Sequence, residues 1–173
     1  SRIMKLSVKE ITIFAMLGAL IFALKKAMEF APNIHFVAVF IVAMTVVYRK
    51  KALYPIYIYV FLDGLFGGFS SWWVPYLYVW TLLWGAVMLL PKNINPKIQP
   101  IIYMLLCGLH GLLFGVLYAP VQALFFNLDF NGTIAWIVAG FPYDLIHAAS
   151  NFVGGILIIP IIRLLKKAEK LKQ

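Results

Sequence analysis

The chain predicts an all-α, polytopic membrane bundle with six transmembrane helices, both termini on the cytoplasmic side, and a single domain over residues 1–173. Three observations carry that expectation. Hydrophobic residues make up 64% of the chain against 12% charged, with a mean hydropathy of +0.93, well above the roughly 45–50% apolar share of a soluble domain. Apolar runs recur between turn signals, and a hydrocarbon core about 30 Å thick takes about 20 helical residues per span, which leaves room for about six spans. The cations fall in alternate connecting segments, as membrane topology requires.

The first span is expected at about 8–29. It follows SRIMKLSVKE without a small-residue cleavage site, so it reads as a retained span and not as a signal peptide. It carries Ala15, Ala19, Ala23 and Ala27 at intervals of four. Such a ladder removes side-chain bulk and lets another helix come close, whether from the same chain or another subunit. Pro32-Asn33 separates it from a short second span at about 34–48, which the basic Arg49-Lys50-Lys51 closes.

The third span, about 52–68, ends in LDGLFGG with Asp63 near its outer end, and the Gly67-Gly68 and Ser70-Ser71 pairs mark a turn. The fourth, about 73–90, opens on Trp72, Trp73, Tyr76, Tyr78 and Trp80. Interfacial belts use such residues, yet this density exceeds what anchoring needs, and a flat ligand can stack on one or two of the rings. PKNINPKIQP leads into a fifth span at about 100–126. There the lone Cys107 has no intrachain partner and is expected in the core, His110 sits among Gly108, Gly111 and Gly115 where it can hydrogen-bond across a close helix contact, and Gln122 lies beyond Pro120 toward the outside.

After NLDFNG, the sixth span is expected at about 133–163. At about 100° per residue, Gly140, Asp144, His147, Asn151 and Gly155 fall within an arc of about 80°. A carboxylate facing lipid is costly, so this stripe either faces a ligand cavity or hydrogen-bonds between helices.

With the N-terminus inside, every one of the 15 lysines and arginines lies on the inner side except Lys25 and Lys26. The basic ending RLLKKAEKLKQ is then a solvated topology anchor, and no nucleic-acid partner is implied by the net charge of +9. The outer side collects Glu29, Asn33, His35, Asp63, Trp72, Trp73, Tyr76, Asn127, Asp129 and Asn131. No metal or cofactor is implied: HExxH and paired CxxC motifs are absent, and Asp144 with His147 supply two ligands without an evident third. The glycine-rich phosphate loop of an ATPase is also absent, so ATP-driven work would need another chain.

Taken together, the length, the expected six spans, the Ala15-x-x-x-Ala19 surface, the outer polar-aromatic concentration and a last helix with Asn151 before Gly154-Gly155 and a basic end resemble the substrate-binding S-components of energy-coupling factor (ECF) transporters. The resemblance covers essentially the whole chain. It implies a non-catalytic subunit of the bacterial cytoplasmic membrane that captures a vitamin-like micronutrient from outside and topples to release it. The partners it implies are a coupling transmembrane subunit, packed on the Ala15, Ala19 and Ala23 surface, and two cytoplasmic ATPases. It places Glu29, Asn33 and His35 in a lid, and Asp63, Trp72, Trp73, Tyr76, Gln122, Asp144, His147 and Asn151 in the pocket wall. Three carboxylates, Glu29, Asp63 and Asp144, with few outer cations suit a small heteroaromatic solute presenting N–H donors. The competing readings are an intramembrane enzyme using Asp144 or Asp63 with His147 as an acid/base pair, and a self-contained carrier.

Overall fold

The structure, a computed structural model, describes residues 5–31 and 36–170. Among these residues it is helical throughout, without strands: α1 Val8–Ala27, α2 Val37–Tyr48, α3 Leu53–Gly67, α4 Tyr76–Leu89, α5 Gln99–Phe126, α6 Phe130–Gly154 and α7 Ile158–Lys170. Short 3-10 turns, Arg49–Ala52 and Gly155–Leu157, join α2 to α3 and α6 to α7.

The helices coincide with the six expected segments in position, but not all reach span length. Helices α2, α3 and α4 have 12, 15 and 14 residues, about 18–23 Å at 1.5 Å per residue and short of a 30 Å core. Two stretches, Gln99–Phe126 and Phe130–Lys170, are long and apolar enough to cross a membrane, each with a mean hydropathy of 2.0. Only 22% and 33% of their most apolar windows are buried within the chain, so most of that apolar surface points outward.

The last segment differs from the single expected span of 133–163. Helix α6 starts earlier, at Phe130, because Asp129 caps it: Gly132 N–H donates to Asp129 Oδ1 at 2.7 Å, satisfying one of the N–H groups that a helix start leaves without an internal partner. It then breaks at Gly155, where an added Cβ would stand 2.8 Å from Met104 Cα of α5. The tight approach of the two backbones requires glycine there, and α7 resumes the course down to Lys170.

At the centre runs α2, where Val37 to Thr45 are fully buried except half-buried Phe40. A helix apolar on every side finds its place inside a bundle, and α4, α5 and α7 surround it. Helix α1 packs on α3 through Phe14, Leu17, Gly18 and Ile21, with Gly18 seated against Ile58. Helices α5 and α6 form a close antiparallel pair.

The two ends of the bundle differ in chemistry. At one, Lys51 Nζ bridges to Glu10 at 2.8 Å, tying the start of α1 to the α2–α3 turn, and the basic residues of the α4–α5 loop and α7 gather nearby. At the other, the ends of α1 and α3 meet the start of α4 in an aromatic and acidic cluster.

Candidate functional site

Helix α5 presents Gly108, Gly111 and Gly115 on one face, at spacings that lie one above another on a helix. Helix α6 fits onto them. A Cβ at Gly111 would stand 2.9 Å from Asn151 Nδ2 and 3.0 Å from Ala148 N, and one at Gly115 would overlap the Asp144 carboxylate. The Asp144, His147 and Asn151 stripe is therefore buried against α5, at 8%, 3% and 0% exposed. Its three members do different things. Asn151 donates from Nδ2 to Cys107 O at 3.1 Å and joins the helices. The His147 ring packs edge-on against Phe114 with centroids 5.0 Å apart. Asp144 reaches the rim of a cavity.

That cavity has a volume of about 270 Å³ and opens between α4, α5 and α6, just below the roughly 300–1,000 Å³ range of ligand clefts. Its walls are mainly aromatic: Tyr76, Phe114, Tyr118, Trp136 and Tyr143, with Asp144 as the one carboxylate. Phe114, Tyr118 and Trp136 form a stacked series, with centroids 5.7 and 6.2 Å apart and rings inclined by 30° and 23°. Tyr118 is tied down, its hydroxyl donating to Trp72 O. A stacked wall with one buried acceptor suits a flat ring that presents an N–H or a positive charge.

Behind Tyr76 lies the charged cluster. Lys25 Nζ sits 2.6 Å from Asp63 Oδ2, with Asp63 only 1% exposed, and donates to Tyr76 OH at 3.4 Å. The ammonium also stands 5.0 Å from the Tyr76 ring centroid and 5.8 Å from that of Trp72, within cation–π range. Asp63, expected to receive a ligand, is thus neutralised by a lysine from α1, and its effect on the cavity passes through Tyr76.

The other expected site residues scatter. Trp73 donates from Nε1 to Val60 O at 2.7 Å and pins the α3–α4 loop. Glu29 pairs with Lys26 at 2.9 Å on the surface, and that ammonium holds its carboxyl below the usual range; it does not line the cavity. His35 and Asn33 lie outside the described residues. Gln122 is half-buried on α5 past Pro120 and stands apart from the cavity wall. Ala15, Ala19 and Ala23 form an exposed strip on α1, opposite the face packed on α3. His110 places Nε2 3.0 Å from Val79 O of α4, the cross-helix bond its glycine neighbours suggested. Among the described residues no three His, Cys, Asp or Glu side chains gather to hold a metal.

Sequence reasoning missed Lys25, Phe114, Tyr118, Trp136 and Tyr143. Trp136 was legible in principle: it extends the Gly140–Asp144–His147 stripe by one turn outward. The pairing of Lys25 with Asp63, 38 residues apart, leaves no local trace.

No family model, no curated protein and no solved structure matches the chain. The site is therefore read from its own chemistry.

Proposed function

We propose that the chain is the solute-capture subunit of a membrane importer of the ECF type, multi-pass in the bacterial cytoplasmic membrane, and that it binds a small heteroaromatic solute without transforming it. The observation that carries this reading is the α4–α6 cavity, in which stacked Phe114, Tyr118 and Trp136 rings face one buried carboxylate, Asp144. Membrane insertion is supported by the outward apolar surface of Gln99–Phe126 and Phe130–Lys170, and the gathering of cations at one end supports an orientation with that end inside and the cavity toward the outside. The exposed Ala15, Ala19 and Ala23 strip supports docking on a coupling subunit, with ATP hydrolysed by two further partner chains.

The test is ligand identification followed by one substitution. Mass spectrometry of small molecules retained by the detergent-purified chain, with a thermal-shift screen of vitamin and nucleobase-like compounds, is expected to yield one stabilising ligand. Asp144→Asn should then weaken its binding by about 1–3 kcal/mol, the range for a hydrogen bond to a buried charged group. A product instead of a retained ligand would put the acid/base reading of Asp144 and His147 in its place, and solute uptake by liposomes holding this chain alone would establish a self-contained carrier. Unchanged affinity in Asp144→Asn would overturn the role given to the carboxylate.

A further inference from the structure

The basic end of the bundle holds a second cavity, of about 330 Å³, which the solute-capture reading does not use. Its polar lining is Arg49 from the α2–α3 turn, Lys92 from the α4–α5 loop, Lys166 from α7, and Gln99 and Tyr103 from the first turns of α5. None of the residues lining it is acidic. The neighbouring cations are placed otherwise: Lys51 is paired with Glu10, and Lys50, Lys97, Arg163, Lys167 and Lys170 are exposed and do not line it. Three positive charges brought from three separate elements around one concavity with no acidic residue in its lining repel one another at a cost that an anion would remove; the nearby carboxylate of Glu169 on α7 acts on Tyr48 and does not line the cavity.

Arg49 adds an independent observation. It has φ 55° and ψ −121°, a backbone conformation that glycine adopts freely and a bulky side chain enters only with strain of about 1–3 kcal/mol. The strained turn is clamped: Trp84 Nε1 donates to Arg49 O at 3.0 Å, and Arg49 Nη2 donates to Met88 O at 3.4 Å. A glycine would make this turn more cheaply, so the arginine side chain is retained there at a cost. One guanidinium nitrogen faces Met88 O, and the other N–H groups remain to bind in the fork geometry that matches phosphate.

We infer that this cavity is a phosphate-recognising site, in which Arg49, Lys92 and Lys166 hold a phosphate-bearing anion, either the headgroup of an anionic lipid at the inner leaflet or a free phosphate compound. Basic pockets between helices at the cytoplasmic surface suit such headgroups. The inference is independent of the solute cavity, which lies at the opposite end of the bundle.

Two double variants with the same charge loss test it: Lys92→Gln with Lys166→Gln inside the cavity, and Lys97→Gln with Lys167→Gln outside it. All four lysines are exposed, so the fold tolerates each change. The purified full chain is titrated in phosphatidylcholine nanodiscs with inorganic phosphate and pyrophosphate, and separately placed in nanodiscs containing phosphatidylglycerol, with thermal unfolding and native mass spectrometry of bound lipid as readouts. Stabilisation by the soluble anions identifies a free phosphate site. Stabilisation and lipid retention with phosphatidylglycerol alone identify a headgroup site. In either case the inner pair should weaken binding about tenfold or more beyond the outer pair, since each cation at such a surface contributes about 1 kcal/mol and about 1.4 kcal/mol corresponds to tenfold. Equal weakening by both pairs, or no effect of any phosphate compound on the unaltered chain, overturns the site.

Discussion

Replacing Lys25 with methionine tests whether the Lys25–Asp63 pair braces the solute cavity. At 2.6 Å, the pair's attraction at an effective dielectric of about 20 is about 6 kcal/mol before desolvation is subtracted. Removing one partner of a buried pair costs about 3–5 kcal/mol, because the remaining charge is left without compensation. Lys25 keeps 17% side-chain exposure, so water screens part of this, and we expect about 3 kcal/mol for Lys25→Met. The lost contact with the Tyr76 ring at 5.0 Å is included in that figure, at about 0.5–1 kcal/mol. The double variant Lys25→Met with Asp63→Leu removes both charges and should lie within about 1 kcal/mol of the unaltered chain, as such apolar replacements of buried pairs do. Denaturation in mixed detergent, followed by tryptophan fluorescence, measures all three proteins. A single variant as stable as the double, or a double variant as unstable as the single, would refute the claim that Asp63 is held by its lysine. Because Tyr76 lines the cavity and receives the Lys25 hydrogen bond, the single variant should also weaken solute binding.

Three further predictions separate packing from binding. Gly111→Ala and Gly115→Ala drive a methyl group into the α5–α6 seam, against Asn151 and the Asp144 carboxylate; each should cost about 1–3 kcal/mol. Gly85→Ala, with open space around its Cβ position, should be neutral or gain up to about 1 kcal/mol from helix propensity, as thermal unfolding would reveal. Asn151→Ala removes the bond to Cys107 O and should lower stability by about 1–2 kcal/mol while leaving ligand affinity unchanged in titration calorimetry; a selective loss of affinity would assign Asn151 to the ligand instead. Ala19→Trp puts bulk on the exposed strip of α1 and, on the proposed reading, should leave solute binding intact while abolishing co-purification with the proposed coupling subunit; persistence of such a complex would remove the strip from the interface.

What the sequence by itself determined was local. The apolar runs and their punctuation located α1 to α5 to within about three residues, because Pro, Gly and charged clusters act on their own stretch of backbone, but merged α6 and α7 into one span that ended short of Lys170. The periodicity of α6 put Asp144, His147 and Asn151 on one face, since the helical repeat needs no tertiary information. The sequence overestimated span length for α2, α3 and α4, where apolar residues continue past the helix ends into turns; composition counts such residues, and only the backbone shows where the helix stops.

The tertiary structure alone decided which polar groups remain open to a ligand. In a chain this apolar, hydrophobicity marks no inner face: α1 carries Ala15 and Ala19 outward and Phe14 and Gly18 inward, and nothing in its hydropathy distinguishes them. The rotation of each helix follows from steric fit, such as Gly18 against Ile58 and Gly115 against Asp144. That rotation carried Lys25 to Asp63 and closed one expected ligand group, turned Asn151 into a joint between helices, and left Asp144 beside a wall of stacked rings. Contacts between residues tens of positions apart depend on packing that no local pattern encodes, so the carboxylates that looked equivalent in sequence acquired different roles in space.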